Sequence, residues 1–216
     1  MPKQYQSIAG QPLVMHTLQA LAKVPQISQA WVVLAPDDDF VWPDSDAWPK
    51  HFARLSCGGD SRAQSVFNGL SAMLTNGVSP EDWVLVHDAA RCLITPEAVA
   101  QLIETCRDDP VGGLLALPLP DTLKQQTLSE QGARVASTVP REDKWLAQTP
   151  QMFRLGVLHK ALADAAGSDF AGITDESSAL ERQGLSPRLV TGSAQNLKVT
   201  YPADFAFAEA ILKGKS

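Results

Sequence analysis

The sequence predicts a three-layer α/β fold with a mostly parallel sheet, and three observations carry that expectation. Short apolar runs such as Ala30 to Ala35 and Trp83 to His87 have the length and composition of buried strands. Stretches with apolar residues at helical spacing lie between such runs, which is the alternation that crossovers in a parallel sheet require. From Pro118 to Arg141 the alternation stops, and two β-prone pieces flanking a polar stretch predict an antiparallel arm that projects from the sheet.

Leu13, Val14, Leu18, Leu21 and Val24 recur at helical spacing after Pro12, which suits a first helical turn. Ala30 to Ala35 follows as a strand ended by Pro36, and residues 36–50 collect Pro, Asp and Trp without periodicity, as in a surface loop or short helix. Phe52 to Cys57 is a weaker strand that enters the glycine turn Gly58-Gly59-Asp60-Ser61-Arg62 and a helix from Ala63 to Leu74. Trp83 to His87 is the clearest strand, and Thr95-Pro96-Glu97 has the residues that open a helix. Gly112 to Leu117 is a further strand. After the arm, helices are expected over Leu155 to Ala166, Thr174 to Gln183 and Pro202 to Lys213, with strands at Arg188 to Thr191 and Leu197 to Thr200. Residues 1–216 form one domain, with residues 118–142 as the arm insertion.

The chain carries 18 basic and 24 acidic side chains, a net charge of −6 that argues against a nucleic-acid-binding surface and leaves room for a locally cationic pocket. Cys57, Cys92 and Cys106 are odd in number and not paired as CxxC, so reduced structural thiols in a cytoplasmic protein are expected. No apolar run reaches membrane-spanning length, and no basic-then-apolar signal pattern opens the chain.

Ligands of open α/β sheets sit at the carboxyl ends of the strands, where His87-Asp88-Ala89-Ala90-Arg91 falls. A carboxylate there can hold a hard cation and an arginine can grip a phosphate, although a turn-capping Asp beside an exposed Arg reads equally well, and His87 reads as a packed residue. The glycine turn before Ser61 lets backbone N–H groups approach an anion at a helix N-terminus, a weak signal alone. Lys198 lies between Leu197 and Val199, as an edge-strand lysine would. Lys3 alone is a solvated charge near the chain start. The D-x-D spacings Asp37/Asp39 and Asp44/Asp46 match metal-dependent sugar transferases, yet read better as a solvated acidic loop. No Ser-His-Asp ordering and no His/Cys metal spacing is present.

PKQY at the start, GGDSR, HDAAR, DTLK over Asp121 to Lys124, TVPRE around Arg141, WLAQTPQMF from Trp145, ITDESSA from Ile173 and NLKVTYPAD from Asn196 occur in one order. In that order they resemble the 2-C-methyl-D-erythritol 4-phosphate cytidylyltransferases of the non-mevalonate isoprenoid pathway. The resemblance implies a Rossmann-like nucleotidyltransferase fold and transfer of CMP from CTP to methylerythritol phosphate, releasing pyrophosphate and 4-diphosphocytidyl-2-C-methyl-D-erythritol, with Mg²⁺ as cofactor. It implies that Lys3 and Lys198 are catalytic cations, and that Gly59, Asp60, Arg62 and Ser65 surround the cytosine of CTP. Asp88 is implied to lie near the metal and the substrate hydroxyls with Arg91 as its neighbour, while Thr122, Arg141, Thr149 and Thr174 line the methylerythritol phosphate site. The arm carrying Thr122 and Arg141 is implied to reach across a homodimer.

Two alternatives share these elements: a cytidylyltransferase for another polyol phosphate such as ribitol 5-phosphate, and an inactive dimeric paralogue. Cys92 and Pro140 stand where the family usually has proline and an acidic residue. Family members also begin with a buried apolar strand and a P-A-A-G-x-G-x-R loop, neither of which is in these 216 residues. In-frame sequence upstream of Met1 is expected to encode both; a protein without them would be impaired in binding CTP.

Overall fold

In the computed structural model, which describes residues 2–40, 51–129 and 131–214, Lys3–Tyr5 form a 3-10 turn and the short strands β1 (Ser7–Ile8) and β2 (Gln11–Pro12) pair antiparallel. Helix α1 (Leu13–Ala22) buries Leu13, Val14 and Leu18, the face that its sequence spacing marks. Strand β3 (Ala30–Val33) pairs in parallel with β4 (Phe52–Leu55), and the chain then enters α2 (Arg62–Thr75). Ser61 caps that helix by accepting the Gln64 N–H at 3.1 Å. Strand β5 (Trp83–Val86) precedes α3 (Pro96–Cys106), which is capped by Thr95 with proline in its first turn.

Next come β6 (Gly112–Pro118), the hairpin strands β7 (Leu123–Ser129) and β8 (Gly132–Val139), and β9 (Trp145–Arg154). Helices α4 (Leu155–Ala166) and α5 (Glu176–Glu181), strand β10 (Arg188–Thr191) and helix α6 (Pro202–Gly214) complete the order. The main sheet has the order β10-β6-β9-β5. Strand β10 is parallel to β6, and β9 runs antiparallel to both β6 and β5, so three of its four strands share a direction. Among the described residues no helix is long and apolar enough to cross a membrane.

Alternation along the strands divides the core into layers. Phe153, Val84 and Val86 pack with Leu155, Leu158, Leu162 and Leu180 on the face covered by α2, α4 and α5. Their neighbours Met152, Trp83 and Leu85 pack on the opposite face with Val99, Leu102 and Cys106 of α3. Cys92 and Cys106 are buried and Cys57 half-buried, all three as free thiols.

At strand β9 and at Leu197 to Thr200 the structure differs from the sequence-based expectation. Strand β9, not predicted, is central, because Pro150 interrupts an otherwise β-prone run and six consecutive residues, Gln148 to Phe153, are buried instead of alternating. Leu197 to Thr200 is coil: its backbone is tied to the rest through the Val199 N–H on the Ala90 carbonyl at 2.8 Å, and no ladder forms among the described residues. Asp37 and Asp39 are exposed, no cluster of metal-ligating side chains occurs among the described residues, and Asp44 and Asp46 lie outside them.

Strand β3 pairs with β4 alone and β5 with β9 alone among the described residues, leaving one edge of each unpaired. Both edges line a cavity of about 500 Å³ walled by Val14, Leu18, Val33, Leu70, Leu85 and Met152. An apolar space between two open strand edges is the environment of a central strand.

Gly112 has a φ of +101°, and a Cβ there would lie 2.2 Å from the Met152 carbonyl oxygen, so the β6–β9 pairing at this point requires glycine. Gly112→Ala is expected to cost at least about 2 kcal/mol through backbone strain and a displaced strand, measured as a lowered urea midpoint with unchanged slope.

Candidate active site

His87 and Asp88 follow directly on β5, at its carboxyl end. Asp88 is held between two cations, its Oδ1 accepting from Arg62 Nε at 2.9 Å and its Oδ2 lying 2.8 Å from Lys198 Nζ. Burial alone would raise this carboxyl, but the Arg62 charge and the hydrogen bonds from Lys198 and Arg62 outweigh it and hold Asp88 at about 2. The register of β6 against β9 slips at Leu115, and residues 148–150 form a bulge there. That bulge turns Thr149 toward β5, where its Oγ1 accepts the Asp88 N–H at 3.1 Å and hydrogen-bonds His87 Nδ1 at 3.0 Å.

Arg62 is the first residue of α2, and its other face is bound to Glu176, with Nη1 on Oε1 at 2.7 Å and Nη2 on Oε2 at 3.0 Å. Glu176 opens α5, whose start is fixed by a reciprocal cap between Asp175 and Ser178. Gln151 of β9, itself buried, donates to Asp175 Oδ2 at 2.9 Å and accepts the Ser177 N–H at 2.8 Å, so the sheet anchors that helix end. Burial pushes the Glu176 carboxyl up, and Arg62 limits the rise.

Ahead of α2, the glycine turn is folded onto the helix it precedes. The Gly59 N–H donates to Ser65 Oγ at 3.0 Å, the Ser65 hydroxyl donates to the Ser61 carbonyl at 2.9 Å, and the Asp60 N–H donates to Gln64 Oε1 at 3.1 Å. A Cβ on Gly59 would lie 2.4 Å from the Gln64 side chain. Gly59, Asp60 and Ser65 therefore form one turn, whereas Arg62 points away from it into the carboxylate pair.

Lys198 reaches Asp88 from the coil after β10. Arg91 secures that coil by donating to the Asn196 carbonyl at 2.7 Å, and more weakly to Ala147 at 3.4 Å. The Asn196 side chain in turn donates to the Thr149 carbonyl at 2.9 Å. Lys3 lies on the 3-10 turn near Asp204, whose carboxyl is lowered first by the Tyr201 and Thr200 N–H groups and to a smaller extent by the Lys3 charge. Thr122 and Arg141 are exposed at the base of the hairpin, and exposed Thr174 borders a small pocket shared with Arg62 and Glu176. The structure thus joins Arg62, Asp88, Thr149 and Lys198 directly, while among the described residues Thr122, Arg141 and Lys3 lie apart from this cluster.

Glu176 and Gln151 are the site residues that sequence reasoning missed. The D-E-S-S stretch shows a helix cap, but Arg62 lies 114 residues from Glu176, and local sequence gives no sign of that pairing.

Burial pushes the His87 imidazole down to about 4, against the pull of the Asp88 charge. The unfolded chain takes up this proton near the ordinary 6.5, so stability is complete above that pH and falls as pH drops from 6.5 to about 4. The loss reaches about 3 kcal/mol over the window at roughly 1.4 kcal/mol per pH unit. Urea unfolding of the wild type and His87→Asn at several pH values is expected to give curves that converge toward acid by this amount; parallel curves would contradict the assignment.

The whole chain has counterparts among known proteins. Residues 1–214 match the family model IspD, 2-C-methyl-D-erythritol 4-phosphate cytidylyltransferase. The cytidylyltransferase of that name from Laribacter hongkongensis is 55% identical over 213 residues, 98% of this chain and 88% of its own length. A bifunctional enzyme IspD/IspF from Albidiferax ferrireducens is 58% identical over 215 residues, and the chain spans 49% of its length. Among solved structures, a 4-diphosphocytidyl-2C-methyl-D-erythritol synthase superposes with a TM-score of 0.85 at 38% identity, covering 98% of this chain and 95% of that one. The cytidylyltransferase from Francisella tularensis gives a TM-score of 0.82 at 30% identity, covering 97% and 93%. With the fold, the glycine turn and the Asp88 centre in place, the chain belongs to the 2-C-methyl-D-erythritol 4-phosphate cytidylyltransferase family, a family of nucleotidyltransferases.

Proposed function

We propose that the protein transfers CMP from CTP to 2-C-methyl-D-erythritol 4-phosphate in isoprenoid precursor synthesis, as a cytoplasmic, Mg²⁺-dependent homodimer. The observation that carries this reading is the ionised Asp88 between Arg62 and Lys198 at a strand's carboxyl end, beside a glycine turn, in a chain of this family. A phosphate oxygen of the substrate attacks the α-phosphorus of CTP, a P–O bond forms, the bond to the β-phosphate breaks, and pyrophosphate leaves. The attacking phosphate is already ionised, so no general base is required. The protein's work is to position two anions and to neutralise the charge that grows between them.

Lys198 supplies such a charge: its side chain is 41% exposed, so it can leave Asp88 for a phosphate. Lys3 is proposed as the second cation on the triphosphate. The Gly59 to Ser65 turn is proposed to enclose the cytosine, with too little room for a purine. Asp88 suits Mg²⁺ as a hard oxygen donor, and without further acidic ligands clustered among the described residues the phosphates would complete the shell. Bound there, the ion supplies charge neutralisation at the triphosphate.

The β7–β8 hairpin supports the dimer. A lone two-stranded hairpin is marginal in water, yet this one exposes Leu128 at 79% and Val135 at 64%, as a surface that a second copy covers would. Thr122 and Arg141 at its base are then proposed to complete a substrate site shared between protomers.

The test is CTP-dependent pyrophosphate release with methylerythritol phosphate and, separately, ribitol 5-phosphate. Faster release with the former is expected, and faster release with the latter would overturn the substrate assignment. A chain that dimerises but releases no pyrophosphate at any concentration would support an inactive paralogue. Lys198→Ala is expected to lower turnover by about 100-fold or more while shifting unfolding stability by no more than about 1 kcal/mol, since Lys198 is half in solvent and its role is in the transition state.

A further inference from the structure

Glu176 is only 2% exposed, and a buried carboxylate persists only where its charge is answered. Arg62 answers it through both terminal nitrogens, at 2.7 and 3.0 Å. A guanidinium is planar, so fixing Nη1 and Nη2 on one carboxylate also fixes the direction of Nε. That direction is Asp88 Oδ1, 2.9 Å away. Asp88 therefore has one cation braced from behind and one, Lys198, whose half-exposed side chain makes no second ion pair among the described residues.

We propose that Glu176 is the positioning residue of this site: it clamps Arg62 so that Asp88 keeps its orientation when Lys198 leaves it for a phosphate. The inference rests on the nucleotidyl-transfer reading above for the phosphate, but the clamp itself is a matter of geometry. Four charges are balanced at rest, with Asp88 and Glu176 against Arg62 and Lys198. Once Lys198 departs, one guanidinium serves two carboxylates. Without Glu176 that guanidinium would be free to turn, and Asp88 Oδ1 would lose the partner that fixes its direction as the reaction proceeds. Gln151 holds Asp175 and Ser177, the residues on either side of Glu176, which explains why a polar side chain 1% exposed sits in the middle of β9.

Two measurements test the clamp. The first needs no activity: exchange of the Arg62 Nε–H with solvent, followed by ¹⁵N NMR on the whole chain. It is expected to be slow in the wild type and at least about tenfold faster in Glu176→Gln, because the direction of Nε is no longer fixed. Fast exchange in the wild type, or unchanged exchange in the variant, overturns the proposal. The second is a double-mutant cycle on pyrophosphate release. Glu176→Gln is expected to lower kcat by about 10- to 100-fold with KM for CTP changed less than about threefold, and to cost less than about twofold when Asp88 is already Asn. An equal loss in both backgrounds means a merely structural role and overturns the proposal. Should Glu176→Gln not fold, Glu176→Asp replaces it, keeping the charge on a side chain one methylene too short for both nitrogens. A wild type that releases no pyrophosphate sinks the nucleotidyl-transfer reading, while the exchange measurement still decides the clamp.

Discussion

Asp88 stays ionised because Arg62 and Lys198 stand against it, and almost every irregularity of the fold serves that arrangement. Each cation comes from a different part of the chain, one from the first turn of α2 and one from the coil after β10. Neither would arrive in register by chance. The glycine turn sets where α2 begins, the α5 cap sets Glu176 behind Arg62, and Arg91 fixes the carbonyl two residues before Lys198. The β9 bulge contributes from below by turning Thr149 onto the Asp88 backbone. The proposed nucleotidyl transfer needs this convergence, since it depends on placement of charge and not on proton transfer.

The same requirement explains the polar side chains buried in the sheet. Gln148, Thr149 and Gln151 of β9 are buried and tied to the loops that present the site, and buried Asn196 in the coil after β10 donates back to the Thr149 carbonyl. In an apolar strand such residues would cost stability if unpaired. Here they are hydrogen-bonded, so the sheet serves as both core and scaffold. By contrast, the cavity between β3 and β5 is apolar, lies between unpaired strand edges, and has the character of core instead of site.

Helices were the legible part of the sequence. Leu155–Ala166 appears at its expected bounds, and α2 and α3 begin one residue after Ser61 and Thr95, because periodicity and caps are local properties. Strand β9 was not legible: Pro150 and a continuous buried run mask its period, and its pairing with β5 and β6 depends on distant residues. Leu197 to Thr200 was misread for the opposite reason, since alternating burial occurs without a neighbouring strand. At the site, Asp88 and Lys198 were visible as motifs, but their direct contact was not, and Arg62 was expected at the cytosine instead of between two carboxylates. Glu176 showed only as part of a cap.

A crystal structure of the protein with CTP and Mg²⁺ tests the central claim most directly. The account predicts that Lys198 has left Asp88 for a phosphate oxygen, while Arg62 remains bound to both Glu176 and Asp88. A structure in which Lys198 stays on Asp88 with nucleotide bound, or in which Arg62 has abandoned Glu176 to contact the nucleotide, would contradict it.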